Sequence, residues 1–301
     1  MNTVSCLLPL PDDFRLADIL KFHHRDVLAV AEAVDANSLR KGLLWNGSPA
    51  CLAIGFEDAC AQVELAIDGT AGVDDTEALR KLAQRMLGLD QPIAEFERRF
   101  RDHPQLGILI AGQPGLRVPV AASVFEALNW AIICQQISVS AAVTIRRKLI
   151  QGVGLRHSSG LYCYPDAQHL AEFSESDLRQ AGFSQSKARC LLTLSRMIVA
   201  GELMLEYSAE ELPVDLISEQ LLNIRGIGPW TVSYALLRGF GWLDGSLHGD
   251  VAMRRGLQRL LGTADPVSEH QARQWLAPFS PWRALVAAHL WAFVPTTALT
   301  E

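Results

Sequence analysis

Apolar residues recur with two different periods along this chain, and the change from one to the other divides it. In the first hundred residues both periods occur. Cys51–Phe56 (CLAIGF) and Gln62–Ile67 (QVELAI) alternate as strands do, with Glu57–Ala61 placed to turn between them. Phe14–Val34 and Thr76–Leu87 instead repeat apolar residues at spacings of three and four, which predicts helices. A connector rich in turn residues follows at Gly112–Val120 (GQPGLRVPV). Beyond it the period is helical: Val124–Ile150, Ala167–Ala181, Gln185–Ala200, Leu216–Ile224, Thr231–Phe240, Val251–Leu261, Glu269–Ala277 and Trp282–Phe293, separated by Gly, Pro, Ser and Asp. The pattern predicts an α+β protein, with a small α/β N-terminal domain over 1–100 before a mostly all-α core over 101–301.

Composition narrows the class. Of 301 residues, 49% are hydrophobic and 20% charged, which suits a folded chain and argues against disorder. No apolar run approaches the roughly 20 residues that span a bilayer. The opening MNTVSCLLPLPDDFR lacks the basic start of a secretory signal, so a cytoplasmic location is expected. The six cysteines, at 6, 51, 60, 134, 163 and 190, form no CxxC pair and suit reduced thiols. The net charge of −6 weighs against a general DNA coat protein. A local basic surface still acts within its own Debye length.

The most specific segment is Leu222-Asn223-Ile224-Arg225-Gly226-Ile227-Gly228-Pro229-Trp230-Thr231. An apolar helix ends at Ile224, two glycines flank one apolar residue, and Pro229 suits the first turn of a new helix. Gly226 and Gly228 are free to take positive φ and let another backbone come near. Unpaired N–H groups at the new helix start suit a phosphate oxygen and need no lysine. Taken alone, a GxG of this kind is an ordinary helix–helix turn. About twenty residues on stands Leu247-His248-Gly249-Asp250-Val251, where Asp250 precedes an amphipathic helix as a capping residue does.

The pair resembles the helix-hairpin-helix and Gly/Pro-Asp motif of base-excision DNA glycosylases. The resemblance implies a two-lobed helical core, with the hairpin in 216–240 and one lobe built from 101–123 and 243–301. It implies that Arg225, Gly226, Ile227, Gly228 and Thr231 grip a DNA phosphate and that Asp250 is the catalytic carboxylate. A monovalent cation at the backbone of Leu222, Ile224 and Ile227 is implied when DNA is bound, and no other cofactor. Arg225 departs from the proline common in the family, and His248-Gly249 from its proline-containing pair. Trp230 stands where bifunctional members carry a Schiff-base lysine, so an amine-driven lyase step has no nucleophile there. The clustered cysteines of the iron–sulfur branch are missing.

Further runs are similar to the bacterial 3-methyladenine DNA glycosylase II family: Val124–Leu128 through Ile133-Cys134-Gln135-Gln136-Ile137-Ser138, Gly182–Arg189, and Pro281-Trp282-Arg283 with His289-Leu290-Trp291. By this resemblance Trp230, Tyr234 and Trp291 wall a base pocket, with Gln135 and Phe22 beside it, and Gln136 wedges into the duplex. Trp230 and Tyr234 share one helix face. Bases alkylated at N3 or N7 are cationic, and aromatic faces attract cations by roughly 0.5–2 kcal/mol. Lys187 and Arg254 are expected on DNA, with Arg189, Arg255, Arg156 and the run Arg146-Arg147-Lys148 as further phosphate candidates. His23-His24 diverge on a helix and make poor metal co-ligands.

The expectation is a monomeric, monofunctional glycosylase that flips an alkylated base (3-methyladenine or 7-methylguanine type) out of double-stranded DNA and hydrolyses its glycosidic bond. Two alternatives stay open on sequence: a non-catalytic hairpin protein that binds lesion or abasic DNA, and a glycosylase for uracil, mismatched or oxidised bases.

Overall fold

Two adjacent pairs with positive φ, Asn46-Gly47 and Asp58-Ala59, fold the first part of the chain into hairpins. Two-residue turns of this hand match the right-handed twist of the strands they join. The computed structural model describes residues 2–207 and 212–293; the end of the expected core, 294–301, lies outside them. Five strands, β1 (Asn2–Pro9), β2 (Glu32–Val34), β3 (Ser38–Trp45), β4 (Ser48–Glu57) and β5 (Cys60–Ile67), form one antiparallel sheet in the order β1-β5-β4-β3-β2. Helix α1 (Leu16–His23) leads into it, and α2 (Asp75–Leu87) packs against β1 and β5, its Leu79, Ala83, Met86 and Leu87 sharing one core with Leu52, Ile54, Val63 and Leu65.

Three helical expectations are corrected. The helix expected over Phe14–Val34 stops at His23. The Asp26 carboxylate accepts the Leu28 amide at 3.1 Å and its carbonyl accepts Ala29 at 2.9 Å, so local turns win over the helix, and residues 32–34 join the sheet. Val124–Ile150 is two helices, α5 (Val124–Cys134) and α6 (Val139–Val153), broken where Gln136 takes φ +57° and Ser138 caps α6. Ala167–Ala181 is also two, α7 (Ala167–Ala171) and α8 (Glu175–Gln180), because Ser174 and Asp177 form a reciprocal capping box.

The helical core comprises these with α3 (Ile93–Phe100), α4 (Leu106–Gly112), α9 (Gln185–Val199), α10 (Val214–Leu222), α11 (Pro229–Ala235), α12 (Val251–Leu261), α13 (Glu269–Leu276) and α14 (Arg283–Phe293). Helix α3 packs Phe96 and Phe100 against Trp282, although sequence places 93–100 with the N-terminal part. Helix α5 is buried from Val124 to Ile133. The helix expected at Thr231–Phe240 begins as α11 and continues as one π-helical turn, Leu236–Phe240. Such turns carry an extra residue per turn and often sit at functional sites. No helix among the described residues is long and apolar enough to cross a membrane.

The sheet is joined to the helical core by charge. Lys41 on β3, 1% exposed, donates to Glu32 on β2 and Glu126 on α5, both at 2.7 Å. Arg146 on α6 reaches the same two carboxylates at 3.0 and 2.8 Å. Burial alone raises both carboxyls, but Lys41 and Arg146 outweigh it and hold both below the ordinary range. Arg147 makes a bidentate pair with Asp26, and Arg156 meets the Tyr162 hydroxyl. The reading of Arg146 and Arg147 as a phosphate-facing stretch is therefore corrected. Both are spent on internal carboxylates.

Candidate active site

Asp250 caps α12, accepting the Met253 amide on Oδ1 at 2.8 Å. Two indoles complete its shell. Trp291 donates Nε1–H to Oδ1 and Trp230 donates Nε1–H to Oδ2, each at 2.9 Å. Three donors from three helices thus fix both carboxylate oxygens. The crossing that allows this is tight. A Cβ on Gly256 would lie 2.5 Å from the Leu290 carbonyl, so only glycine lets α12 lie this close to the residue before Trp291. The loop before Asp250 is tied down as well. Asp244 takes a two-pronged contact from Arg283 (2.8 and 2.9 Å) and the Ser280 hydroxyl at 2.8 Å.

The hairpin faces the same region. Ile227 donates to the Ile224 carbonyl at 3.0 Å, and Gly226 takes φ +102°. A Cβ at Gly226 would also meet Cys190 at 3.1 Å. The positive φ expected at Gly228 is corrected: it is extended, φ −110°, as the residue before Pro229 favours. Gln135, expected beside the lesion, turns its carboxamide to the hairpin instead. It donates to the Gly226 carbonyl at 2.9 Å and the Thr231 hydroxyl at 3.1 Å. The Thr231 side chain is buried in that contact, 2% exposed.

Gln136 and Ile137 are exposed at the α5–α6 break, and Arg225 is exposed on the hairpin. Lys187 is half-buried, and its ammonium caps α5 through the Ile133 carbonyl at 2.7 Å. Arg254 donates to the Val267 carbonyl at 3.3 Å and lies 3.9 Å from Glu269. As placed, Lys187 and Arg254 serve internal contacts rather than an open phosphate surface.

The aromatic residues do assemble. Trp230 and Tyr234 pack at 5.3 Å between centroids. Phe22 and Trp291 flank the Arg238 guanidinium at 4.8 and 5.5 Å. Arg25 lies over Phe22 at 4.0 Å and Trp130 at 4.5 Å. Burial pushes the Tyr234 hydroxyl up, while Arg25 and Arg238 pull against it. Burial brings Arg238 down to about 10. Sequence reasoning missed Arg25, Trp130 and Arg238. Arg238 carried a readable signal, four residues past Tyr234 on the same face. Arg25 and Trp130 had none.

Residues 130–281 match the HhH-GPD superfamily base excision DNA repair protein model, about half of the chain. The chain belongs to this superfamily. Residues 6–123 match the AlkA N-terminal domain, which is the sheet and its first helical connections. A putative DNA-3-methyladenine glycosylase, YfjP, of Bacillus subtilis is 30% identical over 169 residues, 56% of this chain and 58% of that protein. DNA-3-methyladenine glycosylase 2 of Escherichia coli is 30% identical over 188 residues, 62% of this chain and 63% of that one. The match thus spans about three fifths of each relative's length. A 3-methyladenine DNA-glycosylase structure from Archaeoglobus fulgidus superposes with TM-score 0.80 at 22% identity, covering 96% of this chain and 97% of that one. That likeness shows the fold.

Proposed function

We propose that this protein is a monofunctional DNA glycosylase that hydrolyses the glycosidic bond of alkylated bases, of the 3-methyladenine and 7-methylguanine type, as the first step of base excision repair. The observation that carries the proposal is Asp250, held through both oxygens by Trp230, Trp291 and the Met253 amide beside an aromatic pocket. A carboxylate fixed in this way needs no reorganisation when positive charge develops on the sugar, and so stabilises the transition state. The C1′–N bond breaks with its electron pair leaving on the base, and water adds to C1′. The products are a free base and an abasic site. Trp230 in place of a lysine leaves hydrolysis without an accompanying strand-cleaving amine step.

DNA binding in this proposal uses the exposed edge of the hairpin, with Arg225 and the amides after Gly226 on a phosphate. Gln136 fills the gap left by the flipped nucleotide. Its positive φ is an observed strain at the exposed break between α5 and α6, which fits a residue held out from the surface for contact. The carbonyl of Leu222 lies in the last turn of α10, where carbonyls lack helical partners, and the Ile224 carbonyl accepts the Ile227 amide. Such oxygens fit a monovalent cation at Leu222, Ile224 and Ile227, which would neutralise phosphate charge. Work on chromosomal DNA as a monomer implies the cytoplasm. The test is release of labelled bases from methylated duplex DNA by the wild type and Asp250→Asn. Loss of release with folding and DNA binding intact supports the proposal. Near wild-type release by the variant overturns it.

A further inference from the structure

Three elements meet where α5 ends. Gln135 is the C-cap of α5, and its side-chain NH2 reaches across to the hairpin. It donates to the Gly226 carbonyl at 2.9 Å and to the Thr231 hydroxyl at 3.1 Å. Lys187 comes from α9 and donates to the Ile133 carbonyl at 2.7 Å, an oxygen in the last turn of α5. One turn further along α9, Cys190 packs against Gly226, where a Cβ would come within 3.1 Å. Helix α9 therefore braces the end of α5 and the turn of the hairpin together.

The Gln135 contact fixes one peptide plane of the turn. The carbonyl of that plane, from Gly226, accepts from Gln135, and its N–H, from Ile227, donates to the Ile224 carbonyl at 3.0 Å. The plane cannot rotate without breaking a bond at one end, and it sets the direction of the Gly228 amide that follows. Directly after Gln135 stands Gln136, exposed, at φ +57°. Such backbone strain in a residue other than glycine persists only where the surrounding structure over-determines it. The bonds made by Gln135 and Lys187 supply that constraint. A single side chain thus holds both the phosphate-facing turn and the backbone that presents the wedge. Resting on the glycosylase reading above, we infer that Gln135 is a positioning residue that couples the hairpin's grip on phosphate to the insertion of Gln136. The duplex is then held and opened by one rigid unit. Groups that act through shared contacts lose less in combination than the product of their separate losses, whereas distant independent groups multiply.

The experiment is a double-mutant cycle on a duplex that carries a tetrahydrofuran abasic analogue, with 2-aminopurine beside the analogue to report unstacking. Equilibrium binding is measured for wild type, Gln135→Ala, Gln136→Ala and the double variant. Each single variant is expected to bind about tenfold more weakly, and the double about 10- to 20-fold rather than about 100-fold. The 2-aminopurine signal of Gln135→Ala should fall toward that of Gln136→Ala even at saturating protein, although Gln136 itself is intact. Gln135→Glu keeps the length but loses the donor and turns an oxygen toward the Gly226 carbonyl. It should bind as weakly as the alanine variant, and it reads the same cycle should alanine unfold the protein. Independent losses that multiply, unchanged binding in either single variant, an unchanged 2-aminopurine signal, or wild-type binding by Gln135→Glu overturns the inference. Binding to the analogue needs no base release, so these outcomes are separate from the glycosylase reading. That reading fails if the wild type releases no 3-methyladenine from methylated DNA.

Discussion

Replacing Lys41 by methionine removes one charge from a buried set of four and keeps most of the volume. Wild type balances Glu32 and Glu126 against Lys41 and Arg146. The variant leaves two carboxylates sharing one guanidinium, at a position only 1% exposed. Two contacts of 2.7 Å are lost and one negative charge is left uncompensated. Breaking a buried pair from one side costs about 3–5 kcal/mol, a large part of the roughly 5–15 kcal/mol that holds a typical domain folded.

The sign with pH is fixed by the same geometry. In the wild type both carboxyls are held below their ordinary value, because Lys41 and Arg146 outweigh burial. Their contribution is present above the unfolded carboxyl pKa and is lost only as pH falls through the lower folded values. In Lys41→Met the effect of burial is no longer outweighed at one carboxyl, whose folded pKa rises above the unfolded one. That group takes up a proton on folding as pH drops, so the variant gains stability relative to wild type. Urea unfolding should give a difference of about 3–5 kcal/mol at neutral pH that narrows toward pH 5. Adding Glu126→Gln should recover part of it, leaving the Glu32–Arg146 pair neutral. A loss below about 1 kcal/mol, or a gap that widens on acidification, would refute the charge-balance argument.

Two further outcomes follow from the site. Trp230→Phe and Trp291→Phe each remove one donor from Asp250 while keeping an aromatic ring, and each should slow base release about tenfold, the equivalent of roughly 1.4 kcal/mol. Single-turnover rates on methylated DNA check this, and the double variant should lose more than either alone. Gly256→Ala pushes a methyl against the Leu290 carbonyl and should cost about 1–3 kcal/mol of stability, read by urea unfolding, with slower release as Trp291 moves from Asp250.

The sequence reveals what is local. The hairpin and Asp250 are readable because the glycine turn, the proline at the helix start and the capping aspartate are written in neighbouring residues. Trp230 and Tyr234 are readable because they lie one turn apart. The charge set is not readable, because Lys41 and Glu126 are 85 residues apart and each resembles an ordinary surface residue. The run Arg146-Arg147-Lys148 shows the same limit: a basic run has no acidic neighbour in sequence, yet Glu32, Glu126 and Asp26 arrive from elsewhere. The Asn46-Gly47 turn is a readable hairpin signal. The strand before it hides the alternation, because Leu39, Lys41, Gly42 and Leu43 are all enclosed and point to both faces of the sheet. The false helix through residues 24–31 followed apolar spacing that Val27 and Leu28 do not bury, being 74% and 63% exposed.

These distant contacts bear on what the N-terminal sheet does. Phe22 and Arg25, at the end of α1 and just past it, line one small cavity together with Trp130, Tyr234 and Arg238 from the helical core. Neither part lines that cavity alone. The position of Arg25 depends on the segment from α1 to β2, which is anchored at Asp26 by Arg147 and at Glu32 by Lys41 and Arg146. Two of the anchors, Arg146 and Arg147, lie on α6, which begins at Val139, three residues past Gln136. Gln136, expected to enter the duplex, and the segment that carries Phe22 and Arg25 are therefore tied to the same helix, one just before its start and the other through its arginines. A shift of the sheet against the core would move Phe22 and Arg25 relative to Gln136. The buried charges, which cost desolvation energy and could be replaced by apolar packing, are best understood as setting that registration.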